Sequence, residues 1–221
     1  MTTTKNNIFA IGIPTINRAD LLQETLEKYS KDFPNTAIYV VDNGLQDFKI
    51  DKLGPNIMFI GNSKNVGVAA SWNQLLGFIF NGTEINPPCN HALILNDDIY
   101  LGRTEEQMNK FIVENPITLA TTTKTWCAFI ISKHIFNTVG YFDSAFFPAY
   151  FEDNDYAYRL KLSGYDHTVH EFLDPVIYIN SATIQKNPEL NYNFENNRQH
   201  YIKKWGGMPY KEIYLTAFNE I

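Results

Sequence analysis

The sequence predicts a single α/β domain, with helices covering both faces of a mostly parallel sheet. Three observations lead there. The 221 residues fit one large domain or at most two small ones. Short apolar runs alternate with amphipathic helical stretches through the first hundred residues, as βαβ units require. Polar residues gather where each run stops, which is where an open parallel sheet holds its ligand.

Taken in order, Ile8 to Ile13 is a continuous apolar run bounded by Pro14, the pattern of a buried strand. Asp20 to Tyr29 places Leu21, Leu22, Thr25, Leu26 and Tyr29 at spacings of three and four, one face of a helix. Ala37 to Val41 is a second strand, stopped by Asp42-Asn43-Gly44, and Ile57 to Ile60 a third, stopped by Gly61-Asn62. Val68 to Phe80 reads as a helix, and Ala92 to Leu95 as a fourth strand stopped by Asn96-Asp97-Asp98. Beyond residue 100 the pattern loosens. A helix near Thr104–Glu114 precedes strands at Thr118–Thr122 and Trp126–Ser132, then a short helix Lys133–Val139 ending at Gly140. Aromatics crowd Tyr141–Phe151 without a period, and a helix Asp153–Ser163 follows, closed by Gly164. No repeat or linker interrupts the chain, so one continuous domain is expected.

Composition excludes several classes. Hydrophobic residues make up 44% and aromatics 14%, enough for a packed core and incompatible with a disordered chain. A net charge of −6 with only four arginines disfavours a nucleic-acid partner. Two cysteines, Cys89 and Cys127, make neither a Cys-rich zinc site nor a disulfide scaffold. Reduced thiols and a cytoplasmic location are the simpler expectation. Met1–Asn7 carries one positive charge and no apolar stretch, so no export signal is expected. No apolar run approaches the ~18 residues of a membrane span, which leaves at most peripheral membrane contact by the aromatic C-terminal third. The chain also holds 24 asparagines, which no motif accounts for.

Two constellations carry chemistry. Asn96, Asp97 and Asp98 follow a buried strand directly, and adjacent carboxylates in a half-buried crevice repel unless a cation joins them. Mg²⁺ or Mn²⁺ gripping a diphosphate is one partner for such a pair; a helix cap or a solvated turn is the other reading. Asp42 offers an acceptor to a base or ribose, or simply closes an Asp-Asn-Gly turn. The second constellation, Phe151-Glu152-Asp153-Asn154-Asp155, opens a helix with three carboxylates in its first turn, where they complement the helix dipole. Asp155 and Arg159 are spaced to pair structurally. Glu152 and Asp153 stand beside the aromatics Phe146, Phe147, Tyr150 and Phe151, which would raise a carboxyl pKa toward that of a general base.

Six segments in order then resemble the family 2 glycosyltransferases of the GT-A fold: Ile13-Pro14-Thr15-x-Asn17-Arg18, Val40-Val41-Asp42-Asn43-Gly44, Asn65-x-Gly67-x-Ala69-x-x-x-Asn73, Leu95-Asn96-Asp97-Asp98, Gly140-Tyr141-Phe142-Asp143 and Glu152-Asp153-x-Asp155-x-x-x-Arg159-Leu160. Each is weak alone; the order is specific. Tyr201-x-Lys203-Lys204-Trp205-Gly206-Gly207 is similar to the basic-aromatic tail of some members. The resemblance implies a Rossmann-like three-layer GT-A domain and inverting transfer from a UDP- or dTDP-type sugar to a glycan or glycoconjugate hydroxyl. Residues 1–100 would form the nucleotide-sugar-binding half, and 101–221 the acceptor-binding half and tail. Pro14, Thr15, Arg18, Asp42, Asn43, Asn65 and Asp97 would line the nucleotide. Asp98 would hold Mn²⁺ or Mg²⁺, Asp153 would be the general base, and Glu152 would orient the acceptor.

Two departures stand out. Asn96 replaces the first Asp of the usual Asp-x-Asp, and Ser71-Trp72-Asn73 stands where many members have Ala-Arg-Asn. Both are similar to the rhamnosyltransferase-type branch and lean the donor toward a deoxyhexose. His170 is placed to reach the metal or to pack, and Trp126 to floor a sugar or to fill the core. The alternatives to a transferase are a nucleotidyltransferase making nucleotide sugars, which would need a Gly-rich basic loop after the first strand, and an inactive nucleotide-sugar-binding module. No Walker A, Gly-x-Ser-x-Gly or His-Glu-x-x-His occurs, and no Gly-x-Gly-x-x-Gly follows the first strand.

Overall fold

The computed structural model describes residues 8–49, 51, 53–123, 125–179 and 182–220. Met1–Asn7, on which the expectation about export rests, lies outside them. Strands β1 (Phe9–Thr15), β2 (Ile38–Asp42), β3 (Ile57–Gly61) and β4 (His91–Leu95) alternate with helices α1 (Ala19–Asp32) and α2 (Val68–Asn81), as the periodicity predicts. A two-residue strand β5 (Ile99–Tyr100), helix α3 (Glu105–Glu114), strands β6 (Leu119–Thr121) and β7 (Ala128–Ser132) and helix α4 (Lys133–Val139) follow. Helix α5 (Glu152–Leu162), strands β8 (Thr168–Val169) and β9 (Ile177–Tyr178) and helices α6 (Ala182–Lys186) and α7 (Phe194–Trp205) complete the described chain.

Among the described residues the main sheet runs β3-β2-β1-β4-β7-β6-β8. β7 is antiparallel to both of its neighbours, while the other pairings are parallel. This is the expected mostly parallel sheet of a single three-layer α/β domain. Alternate residues of β1 serve opposite layers. Phe9, Ile11 and Ile13 face α1 and α3, whereas Ala10 faces α2 and α5. A fully buried Ile or Leu at such a position contributes about 1.5–3 kcal/mol. Gly12 lets α2 come close, because a Cβ there would stand 2.8 Å from Ile94 Cδ1 and 3.1 Å from Leu75 Cβ. A third, smaller aromatic cluster (Phe146, Phe151, Tyr158, Tyr201, Trp205) locks α7 onto α5.

The sequence places the end of the first strand at Pro14, yet β1 continues to Thr15. The hydrogen bonds explain why. Ile11 N–H donates to Ala37 and Asn43 N–H to the Thr15 carbonyl, so odd residues serve β2 and Pro14 faces β4. Pairing with β4 has already stopped at Gly12 and Ile94, so the missing N–H of Pro14 leaves no gap in the ladder. No helix among the described residues is long and apolar enough to cross a membrane.

Candidate functional site

The chain steps outward from β1 to β2 and β3, then returns to lay β4 on the other side of β1. A crevice opens where that order reverses, beyond the carboxyl ends of the strands. It holds a cavity of about 270 Å³. Pro14 and Thr15 reach it from β1, Asn43 from the end of β2, and Asn65 and Gly67 from the loop before α2. Asn96, Asp97 and Asp98 reach it from the end of β4. The polar clusters after these strands thus converge on one cavity.

Asp97 and Asp98 are both buried. Thr15 Oγ1 donates to Asp97 Oδ2 at 2.7 Å and Thr183 Oγ1 to Oδ1 at 2.5 Å. Burial pushes the Asp97 carboxyl up to about 6, with the charge of Asp98 adding to the rise and the two threonine bonds opposing it. Asp98 is also raised by burial; its Oδ2 accepts from the Ala182 N–H at 3.1 Å, and its Oδ1 has no hydrogen-bond partner. Among the described residues no three or more His, Cys, Asp or Glu side chains are grouped to hold a metal ion. The donor set is instead two adjacent hard carboxylates, one with an unsatisfied buried oxygen. That suits a divalent cation such as Mg²⁺, which takes one or two protein carboxylates and completes its shell with phosphate and water.

The remaining strand-end residues divide. Asn43 lines the cavity and is fixed by Ser71 Oγ, to which its Nδ2 donates at 2.8 Å, and by Asn62 Nδ2, which donates to its Oδ1 at 2.9 Å. Asn65 Oδ1 accepts from the Gly67 N–H at 2.8 Å and shapes the turn into α2. Asp42 is buried but turned into its own loop: its oxygens accept from the Gly44 and Gln46 N–H groups and from Gln46 Nε2 at 2.6–2.8 Å, and it does not line the cavity. Arg18 also stands off the lining, paired with Asp20 at 3.2 Å, and its Nη1 is buried without a partner.

Glu152 and Asp153 begin α5, just after the cavity wall at Pro148 and Ala149, and do not themselves line the cavity. The backbone entering α5 is unusual, with Tyr150 at φ +80° and Phe151 at φ +73°. Consecutive left-handed aromatics are strained and persist only where packing dictates them, a feature that clusters at functional sites. Glu152 is buried with its Oε2 unpartnered, and burial together with the charge of Asp153 raises its carboxyl well above the usual range. Asp153 is half-buried and also raised by burial, an effect opposed first by the Asn154 N–H, which donates to its Oδ1 at 2.8 Å, and least by His167. Of the two, Glu152 is the more strongly raised. Asp155, the third acid, is structural: its Oδ2 meets Arg159 Nε at 2.8 Å, the pairing the sequence spacing predicts.

Several site residues carry no signal in the sequence. Thr125 and Cys127 line the cavity because β7 begins beside the end of β4, and Tyr178 enters from β9. Thr183, Ile184 and Leu190 close it from the C-terminal side. His170 lies elsewhere, its ring edge-on to Phe111 at 5.3 Å in a groove beside α3. Trp126 packs against Phe129, Phe142, Tyr156 and His167 and does not line the cavity.

No protein-family model matches the chain, and no curated protein matches its sequence. Solved structures do. TarS of S. aureus superposes with a TM-score of 0.51 at 14% identity over 88% of this chain. A candidate nucleotide-diphospho-sugar transferase of Desulfovibrio desulfuricans G20 gives 0.49 at 9% identity, covering 74% of this chain and 80% of that one. The chain spans 39% of the length of TarS, and what it shares with TarS is the fold, a three-layer α/β domain around a mostly parallel sheet.

Proposed function

We propose that the chain is an inverting glycosyltransferase that moves a sugar from a nucleoside-diphosphate sugar to a hydroxyl of a glycan or glycoconjugate. The observation that carries this reading is the cavity where β1 parts from β4, with Asp97 and Asp98 side by side on its wall and Asp98 Oδ1 unsatisfied. Residues 1–100 supply the nucleotide half, with Pro14, Thr15, Asn43 and Asn65 around the base and ribose and Arg18 and Asp42 behind them. Residues 101–221 supply the acceptor half. The donor is of UDP or dTDP type, with a deoxyhexose such as rhamnose the first sugar to try.

Asp98, backed by Asp97, would hold Mn²⁺ or Mg²⁺, and such an ion supplies positive charge beside the departing diphosphate. Asp153 takes the proton from the acceptor hydroxyl as its oxygen bonds to the anomeric carbon opposite the leaving group. The bond from that carbon to the diphosphate breaks, and its electron pair leaves with the diphosphate. The raised carboxyl of Asp153 suits this role, since a base works best with a pKa near the working pH. Glu152, whose carboxyl burial raises, would orient the acceptor.

The test is a panel of nucleotide sugars with Mn²⁺, Mg²⁺ or EDTA, using wild type and Asp153→Asn. The expected result is metal-dependent release of one nucleoside diphosphate, reduced about 10²–10⁴-fold by the substitution. Absence of nucleotide binding under every condition overturns the reading.

A further inference from the structure

The cavity is closed by a segment that the glycosyl-transfer reading leaves without a role. Residues 182–191 lie against the two carboxylates and take one oxygen of each, leaving Asp98 Oδ1 open. The Thr183 hydroxyl occupies Asp97 Oδ1 at 2.5 Å, and the Ala182 N–H occupies Asp98 Oδ2 at 3.1 Å. The far end of the segment is fastened by asparagines. Asn187, buried, receives a hydrogen bond from Asn17 Nδ2 at 2.8 Å and gives its own Nδ2 to the carbonyls of Thr183 at 2.8 Å and Ile16 at 3.4 Å. Asn191 Oδ1 accepts from the Tyr150 hydroxyl at 2.6 Å. Lys186 meets Asp20 at 3.1 Å on the exposed side.

The fastenings named above are polar; the apolar seating is Leu190 and Ala182, both buried, and the half-buried Ile184 on the cavity. A segment seated by hydrogen bonds, each of which water or a ligand can replace, opens far more readily than one seated in a core. The cavity beneath it, about 270 Å³, stands at the lower edge of the roughly 300–1,000 Å³ usual for small-molecule sites.

We propose that residues 182–191 form an autoinhibitory strap: Thr183 and the Ala182 amide hold carboxylate oxygens of Asp97 and Asp98 that the donor's cation would take, and donor binding displaces them. This rests on the glycosyltransferase reading of the site. It also gives the asparagines at 187 and 191 a purpose, as a fastening that holds closed at rest and releases without exposing much apolar surface. A closed strap lowers the apparent affinity by the fraction of molecules that are open, so loosening it tightens binding.

The experiment compares wild type, Thr183→Val and Asn187→Ala by amide hydrogen exchange over 182–191 and by calorimetric binding of Mn²⁺ with UDP and of Mn²⁺ with dTDP. Thr183→Val removes the hydroxyl that occupies Asp97, while Asn187→Ala loosens the strap away from the carboxylates. Both are expected to speed exchange in the free protein and to tighten nucleotide binding about threefold to tenfold. In wild type the bound nucleotide is expected to speed exchange at Ala182 and Thr183. Weaker or unchanged nucleotide binding by both variants, with wild type binding normally, overturns the strap alone. Failure of wild type and variants alike to bind either nucleotide overturns the reading of the site, and the strap with it.

Discussion

Lys204 Nζ lies 2.7 Å from Asp155 Oδ1, joining the end of the C-terminal helix to the first turn of the helix that carries Glu152 and Asp153. The same ammonium meets Asp143 Oδ2 at 2.6 Å, and neighbouring Trp205 Nε1 donates to Asp155 at 2.8 Å. Asp155 is fully buried and shares its charge with Arg159 as well. The tail motif around Tyr201–Gly207 is therefore a clamp on the proposed catalytic helix.

Lys204→Met tests that clamp. It leaves Asp143 with only the His200 ring, 3.7 Å away, as an ion-pair partner and Asp155 with one cation instead of two, and removing one partner from a buried ionic group costs about 3–5 kcal/mol. Arg159 and Trp205 soften the loss, so a fall of about 2–4 kcal/mol in urea unfolding is expected. A fall under about 0.5 kcal/mol, the range of ordinary surface substitutions, would show that the clamp carries little.

Asp97 gives a pH prediction. Its folded pKa of about 6 lies above its ordinary 3.8, so the folded state holds the extra proton between those values. The favourable contribution of this group is complete below pH 3.8 and is lost as pH rises through about 6. In EDTA, Asp97→Asn is expected to be more stable than wild type at pH 8 by about 2–3 kcal/mol, with the gap closing toward pH 4. The same variant should bind Mn²⁺ and nucleotide poorly. Thermal unfolding across that pH range checks the sign; a gap that widens on acidification would contradict it.

Two glycines of one helical region should respond oppositely to alanine. Gly67, ahead of α2, has φ +83°, and a Cβ there would stand 2.9 Å from Phe147 Cδ2 and 3.0 Å from the Pro148 carbonyl. Gly67→Ala is expected to cost about 1–3 kcal/mol and to weaken nucleotide binding by shifting the cavity wall. Gly77, inside α2, has nothing within 4 Å of a built Cβ. Gly77→Ala is expected to gain about 0.5–1 kcal/mol. Melting temperatures of the pair settle both.

Much of the first half is legible in the sequence because its strands are continuous apolar runs and its helices keep a clean period. Helices α3, α4 and α5 and strands β6 and β7 are legible too, but the chain beyond Gly164 hides for identifiable reasons. Helix α7 buries Asn197, Tyr201, Lys204 and Trp205, a proper helical face, but two of the four are polar, so no apolar period marks it. Strands β5, β8 and β9 have two residues each, too few for any alternation to register. At the site, the sequence places acids and amides at strand ends without saying which way they turn. Asp97 and Asp98 turn to the cavity, whereas Asp42 is held by its own loop and Arg18 pairs with Asp20. Thr183, more than eighty residues from Asp97, has no local signature at all.

The single reversed strand has its own consequence. Because β7 runs against β4, its opening residues, rather than its closing ones, stand beside Asn96–Asp98, with Ala128 opposite Leu95. A wholly parallel sheet would offer the crevice only strand exits. Here the approach to β7 brings Thr125 and Cys127 to the cavity, and the Cys127 carbonyl accepts the Asn96 N–H at 2.8 Å, tying this entrance to the strand end that carries the carboxylates. One change of chain direction thus lets a strand's entrance, and not only strand exits, furnish the wall beside the two carboxylates.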